Sequence, residues 1–379
     1  MQAPHKKITL VAGARPNFMK IAPIIRELKR HEEVFDWSLV HTGQHYDHDM
    51  SDVFFAELGI PQPNFHMGAG GGSHAEQTAR IMMSFEKYCV ENQPALVLVV
   101  GDVNSTLACS IVAKKLNIEV AHVEAGLRSG DMTMPEEINR IVTDSISDYF
   151  FVTERSGVEN LKREGHAEDR IHFVGHVMID NLFHQITALQ LYATGGFPSD
   201  SIKRRHPKYG VVTLHRPSNV DNAQTLTRIV AALTEISKKV PLIFAVHPRT
   251  AGNLRKFNIE LPESIIETAP MPYMEFLNLW KDARIILTDS GGIQEESTAL
   301  GIPCVTLRDN TERPVTVTEG TNILAGTEYS KILECTERAL SRSGHNSAKR
   351  PHLWDGRAAE RIVEVLLNIS GRGQSLRAV

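Results

Sequence analysis

Short apolar runs recur along the chain, and between them lie longer stretches in which apolar residues return with helical period. In the first half, residues 8–12, 37–41, 96–100, 119–123, 149–152 and 171–174 read as strands. The segment 74–91 is the clearest helix, with Ile81, Phe85, Tyr88 and Cys89 on one face. Around residues 191–209 the pattern fails. Ala193-Thr-Gly-Gly-Phe-Pro-Ser-Asp200 is turn-rich and Lys203-Arg-Arg-His-Pro207 is basic, so a linker is expected there. The alternation restarts with strands at 211–214, 242–246, 265–268, 284–288 and 304–307, and with helices at 224–238 and 274–282. Strand and helix in alternation predict an α/β protein made of parallel sheets with crossover helices. Two doubly wound, Rossmann-like domains are expected, at 1–190 and 205–355. A last helix within 356–379 is left open between the two.

Length agrees with that division: 379 residues, at roughly 150 per domain, allow two or three domains with cores of their own. Lys+Arg 41 against Asp+Glu 45 gives a net charge of 41 − 45 = −4. This balance lacks the basic excess that a nucleic-acid backbone requires, so no nucleic-acid partner is expected. The longest apolar run, residues 95–100, is far short of the ~20 residues that span a bilayer. The apolar stretch after Lys7 soon meets Gly13 and Arg15, so no export signal, no membrane association and a cytoplasmic location are expected. Cys89, Cys109, Cys304 and Cys335 show no paired spacing and read as reduced core thiols.

The informative polar residues stand at the carboxyl ends of the apolar strands, where doubly wound sheets bind ligands. The first half carries Gly13-Ala-Arg15-Pro-Asn17, His41-Thr-Gly-Gln-His45, Gly101-Asp102 and Glu124-Ala-Gly-Leu-Arg128. The second carries His215-Arg216, His247-Pro-Arg249, Asp289-Ser290-Gly291-Gly292 and Arg308-Asp309. Any one of these reads equally as a loop charge in water. Their recurrence at successive strand ends predicts two polar rims and a cleft between domains. Asp289-Ser290-Gly291-Gly292 precedes a helix expected near Ile293, and free amides at such a start suit a phosphate. Glu295 and Glu296, expected in its first turn, would repel phosphate if aimed at it, so at least one is expected to turn toward a ribose diol. Arg15 and Lys20 offset the charge of a diphosphate. Asp102 either caps the following helix or joins Glu124, Glu136 and Glu137 in a set of acids suited to proton transfer.

Two other signals carry less. Gly70-Gly-Gly72-Ser-His-Ala75 fits a dinucleotide fingerprint formally, but the Pro-rich residues before it do not read as a central strand, so a glycine loop is expected. His41, His45, Asp47, His48 and Asp49 match no metal-ligand spacing, and no metal is expected. No phosphate-binding loop of the ATP-hydrolysing type is present.

Taken in order, Gly13-x-Arg-Pro, Lys20 before Ile-Ala-Pro, Gly101-Asp102 with Ser105-Thr106, His122-Val-Glu-Ala-Gly-Leu-Arg128, Pro135-Glu-Glu-x-Asn-Arg140, Thr213-x-His-Arg216, His247-Pro, Asp289-Ser-Gly-Gly-x-Gln-Glu-Glu296 and Arg308-Asp-x-Thr-Glu-Arg-Pro314 resemble the non-hydrolysing UDP-N-acetylglucosamine 2-epimerase family. The resemblance implies a GT-B fold, a UDP-sugar substrate, no cofactor, neither nicotinamide nor metal, and a cytoplasmic homodimer serving surface-polysaccharide synthesis. It implies interconversion of UDP-N-acetylglucosamine and UDP-N-acetylmannosamine by elimination of UDP to 2-acetamidoglucal and readdition. By the same resemblance Arg15, Ser290, Gly291 and Gly292 hold the diphosphate, Glu296 the ribose, and Lys20, His247 and Arg313 further parts of the substrate. Asp102, Glu124 and Glu136 supply acid and base, with His215 near the phosphate or a sugar hydroxyl.

The chain departs from the family pattern in Gly13-Ala-Arg-Pro-Asn-Phe-Met-Lys20 and in His215-Arg-Pro-Ser-Asn219, where the family has His-Arg-Arg-Glu-Asn. It departs again at residues 68–74, which are glycine-rich where several members carry an Arg-Gln pair for an activating second UDP-sugar. Other readings that stay open are an epimerase of a 2,3-diacetamido-uronic acid, a hydrolysing 2-epimerase, a GT-B glycosyltransferase and a UDP-sugar sensor.

Overall fold

A computed structural model describes residues 6–44, 52–191, 196–341 and 350–371. The chain divides into two compact units, Met1–Asn181 with His352–Val379, and Leu182–Pro351.

The first unit is built on seven parallel strands, β1 (Lys6–Ala12), β2 (Phe35–His41), β3 (Phe65–His66), β4 (Leu96–Val100), β5 (Glu119–Val123), β6 (Tyr149–Val152) and β7 (Ile171–Phe173). Their order is β3-β2-β1-β4-β5-β6-β7. β4 shows why periodicity identified the sheet: Leu96 to Val100 are all buried, because helices cover both faces and no alternate position meets water. On one face the helix Arg15–Leu28 packs Phe18, Ile21, Ile24 and Leu28 against Ile8, Leu10 and Leu98. On the other, Ile81, Phe85, Tyr88 and Cys89 of the helix His74–Asn92 meet Val97, Val99 and Cys109. Truncating a residue such as Leu98 to Ala in so closed a layer costs about 2–5 kcal/mol.

The second unit repeats the plan with β8 (Gly210–Thr213), β9 (Leu242–Ala245), β10 (Ile265–Thr268), β11 (Ile285–Thr288), β12 (Cys304–Thr306) and β13 (Asn322–Leu324). All pair in parallel in the order β10-β9-β8-β11-β12-β13. Gly210 is required where β8 runs between its neighbours, since a Cβ there would stand 2.8 Å from Leu242 Cδ2 and 3.0 Å from Ile285 Cγ2.

In each sheet the strand order reverses once, between β1 and β4 and between β8 and β11. Loops leaving adjacent strands there diverge to opposite faces and open a crevice.

Part of the expected linker is folded. Pro198–Arg205 is a helix, opened by the Asp200 carboxylate accepting the Phe197 amide at 2.8 Å and fastened by Asn278 Nδ2 to Asp200 at 2.7 Å and Lys203 to Asp282 at 2.6 Å. The last helix, Ala358–Ile369, clusters with the first unit, with Ile362, Val363 and Leu366 in the core shared by Ile8 and Leu10. Asp180 seats it by accepting the amides of Ala358 at 3.1 Å and Ala359 at 2.7 Å. The four cysteines are free and buried. Among the described residues no helix is long and apolar enough to cross a membrane.

Candidate active site

At the β1/β4 crevice, Asn17 fixes the first turn. Its Oδ1 accepts the amides of Gly13 at 3.2 Å and Ala14 at 3.0 Å, and its Nδ2 donates to the Val100 carbonyl at 3.2 Å. One helical turn on, Lys20 Nζ meets Glu124 Oε2 at 2.6 Å. Gly101 makes room for the pair, since a Cβ there would stand 3.1 Å from Lys20 Nζ. Glu124 itself has φ +70, a left-handed conformation that costs a non-glycine residue about 1–3 kcal/mol and recurs at functional sites. Arg15, at the helix start, carries its guanidinium over the Phe54 ring at 5.1 Å.

Asp102 does not cap. The N-cap of the helix Asn104–Lys115 is Val103, and the Asp102 carboxylate is paired with Arg140 instead. Arg140 also binds Glu137, which accepts the amides of Ser129 and Gly130 at 2.9 Å. Burial pushes the Glu137 carboxyl up, but these amides and Arg140 outweigh it and hold it below the usual range. Glu137 is thereby committed to holding its loop, whereas its neighbour Glu136 is exposed. Glu136 lines a cavity of about 380 Å³ with Gln44, His74, Asp102, Asn104 and Asn139, a size that suits a sugar. Asn139 steadies the cavity wall, donating to the Asp102 carbonyl at 2.9 Å.

At the β8/β11 crevice, buried Asp289 accepts from the His215 amide at 3.0 Å, the Arg216 amide at 2.9 Å, Asn219 Nδ2 at 3.2 Å and His215 Nδ1 at 2.9 Å. Burial raises the Asp289 carboxyl, but His215 and the amides prevail and keep it low and ionised. Because a carboxylate can only accept, Nδ1 of His215 carries the proton toward it and Nε2 points away from it. The His247 ring lies 5.9 Å from that of His215.

Ser290 caps the helix Gly291–Leu300. A Cβ on Gly292 would meet nothing within 4 Å, and one on Gly291 only Glu312 Oε2 at 4.0 Å, so the helix start is open to an anion. Glu295 and Glu296 lie in the second turn, not the first as expected, because the helix begins two residues before Ile293. Both are engaged by side chains: Glu295 with Arg313, and Glu296 Oε1 with the Tyr273 hydroxyl at 2.8 Å. Arg308 grips Glu312 through two bonds of 2.8 and 2.9 Å, and this grip outweighs burial to hold Glu312 at about 2.

The first unit thus brings Asp102 and Glu136 into one cavity and Glu124 onto Lys20. The second gathers His215, His247, Ser290, Gly291 and Gly292 at one strand-end crevice. Sequence reasoning assigned no role to Arg140 or Tyr273. The three-residue spacing of Glu137 and Arg140 is a visible helical pairing signal, while nothing near Tyr273 marks its partner Glu296. Among the described residues, no group of three or more His, Cys, Asp or Glu is placed to hold a metal, and His45, Asp47, His48 and Asp49 lie outside those residues.

A family model described as UDP-N-acetylglucosamine 2-epimerase matches residues 26–367. The chain is 42% identical over 366 residues to a UDP-N-acetylglucosamine 2-epimerase of Methanocaldococcus jannaschii, covering 95% of this chain and 98% of that protein. It is 39% identical over 370 residues to a UDP-2,3-diacetamido-2,3-dideoxy-D-glucuronate 2-epimerase of Pseudomonas aeruginosa, covering 96% and 100%. A crystal structure of the Methanocaldococcus jannaschii UDP-GlcNAc 2-epimerase in complex with UDP-GlcNAc and UDP superposes with a TM-score of 0.81, at 41% identity, over 96% of this chain and 99% of that one.

Proposed function

The chain belongs to the UDP-N-acetylglucosamine 2-epimerase family, and from that premise we propose that it interconverts UDP-N-acetylglucosamine and UDP-N-acetylmannosamine. The observation that carries this reading is the placing of Asp102 and Glu136 in one cavity, with the Lys20–Glu124 pair beside Gly101. Carbon 2 of the sugar bears no carbonyl, so its proton is not acidic until the anomeric bond weakens. In the elimination, a carboxylate takes that proton, its bonding pair forms the double bond between carbons 1 and 2, and the anomeric C–O bond breaks with its electrons leaving on UDP. In the return step UDP oxygen adds to carbon 1, and a proton reaches carbon 2 from the opposite face. Asp102, Glu124 and Glu136 are the acids and bases of these two transfers.

Negative charge develops on the departing diphosphate, and preorganised donors act there without reorganising. Gly291 and Gly292 supply main-chain donors and Ser290, whose amide is taken by Thr288 Oγ1 at 2.9 Å, supplies its hydroxyl, with Arg15 adding charge. His215, oriented by Asp289, presents Nε2 to a phosphate or sugar hydroxyl. Lys20 and His247 complete the substrate contacts, Glu296 with Tyr273 takes the ribose, and Arg313 stands at the nucleotide end. On the same footing the protein works as a cytoplasmic homodimer in surface-polysaccharide synthesis.

A second reading, a 2,3-diacetamido-uronic UDP-sugar, is favoured by Pro217-Ser218 in place of the family's Arg-Glu pair and by the Pseudomonas aeruginosa relative. Proton NMR in deuterated water, with no nicotinamide or metal added, decides between them. Deuterium at carbon 2 of UDP-N-acetylglucosamine, with growth of the UDP-N-acetylmannosamine signal, is the expected result. Release of free N-acetylmannosamine moves the reading to a hydrolysing enzyme. Exchange only in the diacetamido-uronic sugar moves it to the second substrate.

A further inference from the structure

The motif residue His122 is wholly buried and has no place in the chemistry above. We propose that His122 and Asp144 form a positioning dyad that touches no substrate and sets where Asp102 and Glu124 stand; this rests on the epimerase reading.

Both ring nitrogens of His122 face acceptors. Nε2 lies 2.8 Å from the Gly101 carbonyl, which cannot donate, and Nδ1 lies 2.6 Å from Asp144. Burial raises the Asp144 carboxyl, but His122, Arg128 and the Gly126 amide outweigh it and keep it ionised. Each ring nitrogen thus has an acceptor within hydrogen-bond distance, the Asp144 carboxylate on one side and the Gly101 carbonyl on the other. The second oxygen of Asp144 accepts the Gly126 amide at 3.0 Å and Arg128 at 2.8 Å, and Arg128 is backed by Glu164 at 2.6 Å.

One buried pair thus holds two backbone points. The first is the carbonyl of Gly101, the residue before Asp102. The second is the amide of Gly126, two residues past Glu124. Gly101 takes φ +68 without cost, but Glu124 at φ +70 is a non-glycine residue in left-handed backbone, a conformation that persists only where the surroundings over-determine it. Near-attack geometry is sensitive to shifts of about 1 Å, which can cost ~10²-fold in rate. The dyad is a side-chain link between the two carboxylate-bearing turns, added to the backbone bond from the Gly101 amide to the Val123 carbonyl at 3.0 Å.

The test uses two substitutions that split the ring. His122→Asn places an amide nitrogen near the Nδ1 position, keeping Asp144 and losing Gly101. His122→Gln places one near Nε2, keeping Gly101 and losing Asp144. For the full-length enzyme with UDP-N-acetylglucosamine, His122→Asn is expected to lose ~10²-fold in kcat with KM and UDP affinity within about twofold, and His122→Gln about tenfold or less. A kcat within about twofold of the unaltered enzyme in both variants once corrected for folded fraction, or a rise in KM with kcat intact, overturns the proposal. If His122→Asn does not fold, Asp144→Asn is read instead. A neutral amide at 144 weakens the hold on His122 Nδ1, on the Gly126 amide and on Arg128 together, so kcat is expected to fall ~10²-fold with KM and UDP affinity within about twofold. A kcat within about twofold of the unaltered enzyme overturns the dyad. An unaltered enzyme that exchanges no deuterium at carbon 2 of any UDP-sugar overturns the function itself.

Discussion

The two units hold their candidate site residues by different means. In the first, Glu124 and Asp102 are held by cationic side chains reached across 104 and 38 residues of sequence, Lys20 and Arg140. In the second, the proposed anion site is the start of one helix, the Gly291 and Gly292 amides with the Ser290 hydroxyl, and its nearby acids are turned aside onto Arg313 and Tyr273. Groups that exchange protons need a fixed charge and direction, and long-range ion pairs supply both. A group that only receives a diphosphate needs open approach and amides already aligned, and glycine at a helix start supplies those. Substitutions in the first unit should therefore act on kcat and those in the second on binding.

The largest effect expected is at Glu124. Glu124→Gln keeps the shape and removes one of the three proposed proton-transfer carboxylates, so kcat should fall by ~10²–10⁴-fold, with the affinity for UDP alone changed less than twofold. Steady-state rates together with titration calorimetry check both halves. A comparable loss of UDP binding would erase the contrast between the units.

How far the sequence was legible follows the same contrast. Strands such as β4 and β11 were readable because burial on both faces leaves an uninterrupted apolar run. β3 and β13 were not, since β3 is two exposed residues and β13 opens on the polar Asn322, so neither leaves an apolar run to read. The helix Pro198–Arg205 was hidden by its polar composition, because its hold comes from Asn278 and Asp282, some 80 residues away, and not from an apolar face. Asp102, Glu124 and Ser290 were visible by standing at strand ends. The direction of Glu295 and Glu296 was not, because it depends on where the helix starts and on Tyr273 and Arg313, which only the fold brings near.

A smaller effect is expected at Gly292. With nothing within 4 Å of a built Cβ, Gly292→Ala fits the protein itself and should leave the melting temperature unchanged or raised, by up to about 1 kcal/mol of helix propensity. The added methyl stands where a phosphate approaches the helix start, so UDP should bind about tenfold more weakly. Unchanged UDP affinity in calorimetry would move the diphosphate away from this helix and leave the second unit without its main-chain site.

A further effect sets one carboxylate of each unit against the other by pH. Burial raises the Asp180 carboxyl to about 6, only partly offset by the amides of Ala359 and Ala358. Arg308 holds Glu312 at about 2. As pH falls from 7 toward 4, folded Asp180 takes up a proton before the unfolded chain does, so the first unit gains stability, by up to about 3 kcal/mol for a shift of this size. Glu312 does the reverse. Its contribution is present above the ordinary carboxylate range and is lost as pH falls through that range toward 2. Acidification should therefore strengthen the Asp180 seat of the C-terminal helix and weaken the Arg308–Glu312 pair of the second unit. Calorimetric scans at pH 7, 5.5 and 4.5 check this with Asp180→Asn, which loses part of the helix cap at every pH but removes the dependence on pH. Parallel curves for the variant and the unaltered protein would show that Asp180 binds no extra proton on folding. The opposition between the units would then rest on Glu312 alone.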